Sequence, residues 1–353
     1  MDQDPELAAA VLDQIRVFDE RNQRNDGLMR GVYRFTGRAR SEESTILWSI
    51  ILKIQGDRAQ SERNAYRSGV LDALPAGFGI PICYADREWP NGDYWLWLED
   101  VRDEVGEVWP VERFGTAARH LGHFNGAYLA GRPLPTEPWM GRKPSARWDE
   151  TAEIIGRLGS MQKHPLIARA YTPENSEGIR RLWNERMIFL AALNELPKTL
   201  CHLDAQRSNL VARTKDGIDQ TVGIDWGRPG IGCLGIEIAQ FAVNFRSVRD
   251  VDFDQLQALN DLVFEQYLAG LRDVGWEGDA KILRLGYTAS AALQNGLSDI
   301  LSLRGGVYPK GYDRMRLLWG ERSEEENMER GGELLSFILR MGDEARVLMN
   351  EMG

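Results

Sequence analysis

At 353 residues, 43% hydrophobic and 27% charged with a formal net charge of −10, the chain has the makeup of an ordinary globular protein long enough for two domains. The surplus of acid excludes a dedicated nucleic-acid binder, and the odd, widely spaced Cys83, Cys201 and Cys233 exclude a disulfide framework and the usual zinc sites. No apolar run approaches the ~20 residues that span a bilayer, and the acidic start lacks a signal peptide's features, so a cytoplasmic protein without a membrane partner is expected.

Asp4 and Pro5 fit an N-cap and a first helical position, and Leu7, Val11, Leu12 and Ile15 mark one apolar face; a helix is expected there. Residues 30–36 and 46–54 read as strands joined by a turn over 37–44. A helix is expected from about residue 59 to 74, stopped by Pro75 and Gly77, and strand-like material returns at 81–84 and 93–98. From 111 to 130 Phe114, Ala117, Ala118, Leu121, Phe124 and Tyr128 give a long helical face, closed by Gly131 and Pro133. Another helix is expected over about 177–196, then a hairpin of strands 209–214 and 220–225 around Asp216-Gly217, and helices beyond Ile236. A strand-rich part of about 98 residues thus precedes a mainly helical one, an α+β chain whose cleft between two lobes is the default ligand site.

Just before the hairpin stands His202-x-Asp204-x-x-x-x-Asn209, and Asp225 ends its second strand. A hairpin brings its open ends together, so Asn209 and Asp225 can face one site. Their hard oxygens suit Mg²⁺, which usually takes one or two carboxylates plus substrate phosphates, with Asp204 as a base beside it. A lone aspartate would more often be a loop or cap residue; the combination is what carries weight.

These residues, with Ile224-Asp225-Trp226-Gly227, resemble the catalytic loop and metal-binding strand of the aminoglycoside phosphotransferase and choline kinase-like family. The resemblance runs from about residue 32 to 239. It implies a bilobal protein-kinase-like fold, with a nucleotide lobe over 1–98, a catalytic and acceptor lobe over 99–353, and a hinge at about 98–101. It further implies ATP or GTP as co-substrate with Mg²⁺, and a small-molecule hydroxyl as acceptor. Asp204 matches the catalytic base, His202 the residue supporting its loop, and Asn209 and Asp225 the metal ligands.

Such a lobe needs a strand lysine for the nucleotide phosphates and a helix glutamate to hold it. Lys53, in an apolar strand, and Glu62, opening the next helix, fit those roles. Lys53 as an edge-strand guard and Glu62 as a helix-dipole partner are the plainer alternatives. Glu99 and Val101 match the backbone that would bind adenine. The phosphate-loop segment 21–28 has one glycine, Gly27, where richer loops are common. No Ala-Pro-Glu follows Asp225, which leaves little room for an activation segment and favours a small acceptor. Eight acids between Asp250 and Asp279 allow a cationic one, although helix surfaces carry such charges routinely.

Two other functions compete. Gly230-x-Gly232-x-x-Gly235 has the spacing of a dinucleotide fingerprint and would make the chain an NAD(P)-dependent oxidoreductase, but Asp225 to Pro229 separate it from the strand it requires. Its glycines instead suit a sharp turn from strand to helix. The other competitor is a nucleotide-binding regulator without catalysis, which would have no chemical need for Lys53, Asp204, Asn209 and Asp225 together. Oligomeric state is not legible from the sequence.

Overall fold

The computed structural model describes residues 10–17, 29–40, 44–56, 60–140, 148–297 and 322–352. Strands β1 (Ala10–Val17), β2 (Met29–Arg40) and β3 (Thr45–Gln55) are antiparallel neighbours. Helix α1 (Gln60–Arg67) and the two-residue strand β4 (Phe78–Gly79) follow. Strands β5 (Cys83–Glu88) and β6 (Tyr94–Glu99) then complete a five-stranded sheet in the order β1-β2-β3-β6-β5. Alternation is clearest in β6, where Tyr94, Leu96 and Leu98 are buried and the residues between them half-buried. That is the period-2 pattern of a strand with one covered face.

Three local expectations change. Residues 10–17 form strand β1 and not part of a helix. The strand lies at the sheet edge, and Val11, Leu12, Ile15 and Val17 are all exposed there, so pairing with β2, not burial of a helical face, fixes the conformation. The turn expected at 37–44 begins later, because β2 keeps its ladder as far as Arg40, opposite Thr45. Helix α1 ends at Arg67, and Gly69, with φ 76°, takes the left-handed conformation that stops it.

The remainder is mainly helical. Helix α2 (Val111–Leu129) buries Phe114, Ala117, Ala118, Leu121, Phe124 and Tyr128, and each large side chain contributes roughly 1.5–3 kcal/mol of transfer free energy. Helices α3 (Trp148–Met161), α4 (Pro165–Ala170) and α5 (Pro173–Glu195) lead to β7 (Lys198–Cys201). The hairpin is β8 (Leu210–Lys215) with β9 (Ile218–Gly223), followed by β10 (Gly230–Cys233). Helices α6 (Ile236–Ala242), α7 (Phe245–Val248), α8 (Leu256–Asp273), α9 (Ala280–Ala291) and α10 (Glu324–Met352) complete the described chain. The first and second parts are stitched together early, since β4 pairs parallel with β9 through Phe78 and Thr221.

The glycine pattern at 230–235 is not one continuous turn. Gly230 to Cys233 pair antiparallel with β7. A Cβ on Gly232 would lie 2.9 Å from Cys201 Sγ, and Gly235, at φ 90°, caps α6. Close packing and a cap account for these glycines. The strand at 230–233 occupies the place where a dinucleotide fingerprint needs its phosphate-binding turn.

Candidate active site

Strand β3 and helix α1 set the first half of the site. Lys53 and Gln55 are two apart on β3 and so share a face, which turns toward Glu62 in the first turn of α1. Lys53 Nζ donates to Glu62 Oε1 at 2.9 Å and to Asp225 Oδ1 at 2.7 Å. Gln55 Nε2 donates to Glu62 Oε2 at 2.5 Å, and the Trp226 backbone N–H donates to Glu62 Oε1 at 3.2 Å. Glu62 is 0% exposed, so its charge depends on these partners. Burial alone would lower the Lys53 pKa, but Glu62 and Asp225 outweigh it and keep the ammonium charged. The Lys53 charge holds the Asp225 carboxyl below the usual range, and burial raises that of Glu62 against the pull of Lys53.

Segment 202–209 sets the second half. His202 Nε2 donates to the Ile224 carbonyl at 2.8 Å, and burial depresses the imidazole to about 4, so it is neutral at physiological pH. The ring lies 4.5 Å from that of the fully buried Trp226. Asn209 Nδ2 donates to Asp204 O at 2.9 Å and Oδ2 at 3.2 Å, and the Ile224 N–H donates to Asn209 O at 2.9 Å. Burial raises Asp204 to about 6; Arg228 opposes the shift and Asp225 adds to it. Leu203 and Asp225, at φ 57° and 63°, are non-glycine residues in the left-handed region, and Asp225 lies two residues past the end of β9. Such backbone costs of order 1–3 kcal/mol and concentrates at functional sites.

Residues 53, 62 and 225 are thus in direct contact, and 204 with 209 form a second contact joined to the first through Ile224. With that geometry in hand, no protein-family model matches the sequence, and no curated protein matches it. Solved structures do match nearly the whole chain. The microcompartment-associated aminopropanol kinase superposes with a TM-score of 0.53 at 15% identity, over 96% of this chain and 95% of that one. A spectinomycin phosphotransferase, in complex with ADP and spectinomycin, gives 0.53 at 13% identity over 94% and 93%. The GDP complex of an aminoglycoside 2′-phosphotransferase mutant gives 0.52 at 12% identity over 93% and 92%. The chain has the protein-kinase-like fold.

In this kinase-like fold Glu99 ends β6, away from the Lys53 cluster. Its N–H donates to Ile82 O at 2.8 Å, and its carboxylate accepts from Arg213 of β8 at 2.8 Å. Val101 follows two residues later. Gly27 lies outside the described residues.

Three supports had no strong sequence signal. Asp103 accepts from Trp109 Nε1 at 2.9 Å and Arg207 Nη2 at 3.1 Å, tying the segment after β6 to the loop containing Asp204. Asn125, buried on α2, donates to Leu200 O at 2.8 Å and anchors β7. Glu237, in the first turn of α6, accepts from the His202 N–H at 2.6 Å and the Leu203 N–H at 3.1 Å. It therefore holds the left-handed turn that presents Asp204.

Burial raises Glu237 from 4.5 to about 7, against the pull of those two N–H groups. A carboxyl whose folded pKa is raised contributes stability that is complete below pH 4.5 and lost as pH rises through about 7. Wild type should therefore lose ground to Glu237→Gln across that window, by on the order of 3 kcal/mol in total. Urea unfolding of both proteins across the window measures this. A constant difference would contradict the raised pKa.

Proposed function

We propose that this chain is a phosphotransferase moving the γ-phosphate of ATP or GTP to a hydroxyl of a small molecule. The observation that supports it best is the Lys53 ammonium held between Glu62 and Asp225, residues far apart in sequence. An ammonium has three donors. Here Glu62 approaches it with both oxygens, at 2.9 and 2.7 Å, and Asp225 with one at 2.7 Å, so a nucleotide phosphate would share a charge these two carboxylates hold in place. On this reading the nucleotide lies between the five-stranded sheet and the part from residue 99 onward, with adenine against the backbone near Glu99 and Val101 and its phosphates toward Lys53.

The donor set also suits Mg²⁺. Asn209 gives its amide hydrogens to Asp204, which leaves Oδ1 as a ligand, and Asp225 keeps Oδ2 with its side chain 46% exposed. Among the described residues no three His, Cys, Asp or Glu side chains gather to hold a metal, so a cation here would depend on phosphate oxygens as well. When bound, Mg²⁺ would neutralise charge on the phosphates. Asp204 receives the acceptor's hydroxyl proton as the new O–P bond forms and the bond to the nucleoside diphosphate breaks. His202, neutral and fixed by Ile224, orients the loop. Positioning and charge neutralisation carry most of phosphoryl transfer, so a small constellation is enough.

In wild type, Mg²⁺ should tighten ATP binding by about tenfold or more, 1.4 kcal/mol. In Asp225→Asn the enhancement should disappear. Calorimetric titration with and without Mg²⁺ reads this directly, and equal enhancement in both proteins would remove Asp225 from the metal site.

A further inference from the structure

Strand β1 ends the five-stranded sheet, and among the described residues no strand pairs with its outer side. A free edge presents unpaired backbone N–H and C=O groups to any chain that can lie beside it, and proteins commonly guard such edges with lysine or proline. The eight residues Ala10–Val17 include neither. Val11, Leu12, Ile15 and Val17 are instead 58%, 48%, 54% and 41% exposed. A bulge can also guard an edge, and β1 has one at Asp13, the residue left over between Leu12 and Gln14 in the ladder with β2. Here that bulge has a second effect.

With Asp13 set aside, seven residues of β1 pair with β2, and Gln14 is the middle one. Leu12, Ile15 and Val17 stand opposite Gly37, Phe35 and Tyr33, alternate residues of β2, so they share one face of the sheet. In a regular strand Leu12 and Ile15 would point to opposite faces; the bulge brings them to the same one. That face continues over β3, where the same three β2 residues pair with Trp48, Ile50 and Leu52. Three apolar rows therefore cross three strands and stop, exposed, at the free edge. Val11 and Arg16 stand opposite Arg38 and Arg34, on the other face, and Asp13 reaches Arg38 there at 2.8 Å.

We propose that β1 pairs antiparallel with β1 of a second copy of this chain, about a two-fold axis at Gln14, joining the two sheets into one. A two-fold interface sets residue i against j and j against i. Centred on Gln14, the pairing sets Leu12 against the partner's Ile15 and Ile15 against the partner's Leu12, all on the apolar face, so the rows continue across the axis. On the other face Arg16 falls opposite the partner's Val11 and beside the partner's Asp13, the single carboxylate of β1. A parallel pairing in register would instead set each charge against its own kind. A slip of one position would set Leu12 against Gln14 or Arg16, which belong to the opposite face. The pattern of β1 is thus complementary to itself in one antiparallel register, which is what selects a second copy as its partner.

Analytical ultracentrifugation of the full chain tests this. Wild type should sediment as a dimer at micromolar concentration. Leu12→Lys or Ile15→Glu alone should weaken the dimer by about a hundredfold or more, because the symmetry repeats each buried charge at two places. An equimolar mixture of the two variants should dimerise again, since Lys at 12 of one copy then meets Glu at 15 of the other while the second Leu12–Ile15 pair is intact. Gln14→Cys, on the axis, should form a disulfide-linked dimer on mild oxidation, and this measurement decides the matter if a charged variant fails to keep the wild-type circular dichroism. A wild type still monomeric at ~100 µM overturns the proposal. So does a dimer that neither charge weakens, a mixture that stays monomeric, or an assembly that grows without limit, because a two-fold contact closes on itself. A Gln14→Cys protein that forms no linked dimer overturns it as well.

Discussion

Lys53→Met is expected to destabilise the protein by about 3–5 kcal/mol and to abolish Mg-ATP binding, because it strands a fully buried carboxylate. Glu62 keeps only Gln55 and the Trp226 N–H as partners once the ammonium is gone, and Asp225 loses the charge beside it. A neutral side chain of similar size at both positions removes the stranded charge. Lys53→Met with Glu62→Gln should therefore recover most of the stability, since the stranded charge is gone and the glutamine oxygen still accepts from one of the two donors, Gln55 or the Trp226 N–H. Nucleotide binding should not recover, because the cation is still missing. Urea unfolding reads the first outcome and calorimetry the second. A double variant that binds Mg-ATP as tightly as wild type would remove Lys53 from the nucleotide site.

Asp204→Asn should lower kcat for phosphoryl transfer by roughly 10²–10⁴, the usual contribution of a positioned general base. The fold should survive the change. Burial already disfavours the Asp204 charge, and an asparagine oxygen still accepts from Asn209 Nδ2. Stability unchanged or slightly raised, together with lost turnover, is the signature of a residue retained for chemistry. A loss of both together would point to a purely structural role.

The grouping of residues at the proposed site was legible because the proposed phosphoryl transfer restricts which side chains would serve. A base, hard-oxygen ligands and a buried cation with a counter-ion stand out even in one sequence, and Lys53, Glu62, Asp204, Asn209 and Asp225 lie close to one another in the fold. What surrounds them was less legible. Glu237 acts through backbone N–H groups 34 and 35 residues away in sequence, which no local pattern encodes. Helix α7 sits against the loop containing Asp204 because Ser247 Oγ accepts from the Arg207 N–H, a contact set by tertiary packing. Strand β1 was misread for a different reason. Its residues 11, 12 and 15 have helical spacing, and an exposed edge strand shows no period-2 burial to correct the impression. The glycines at 230–235 misled in the same way, since close packing of β10 on β7 demands small residues as strictly as a phosphate does.

The central claim is that Asp204 works with the Lys53 and Asp225 cluster to transfer phosphate to a hydroxyl. Its most direct test is phosphorus NMR of the purified protein with Mg-ATP and the hydroxyl panel, wild type beside Asp204→Asn. The account predicts a new phosphoester signal with matching nucleoside diphosphate in the wild type, and its near absence in the variant. Equal phosphoester formation by both proteins, or no transfer from a protein shown to bind Mg-ATP, would contradict it.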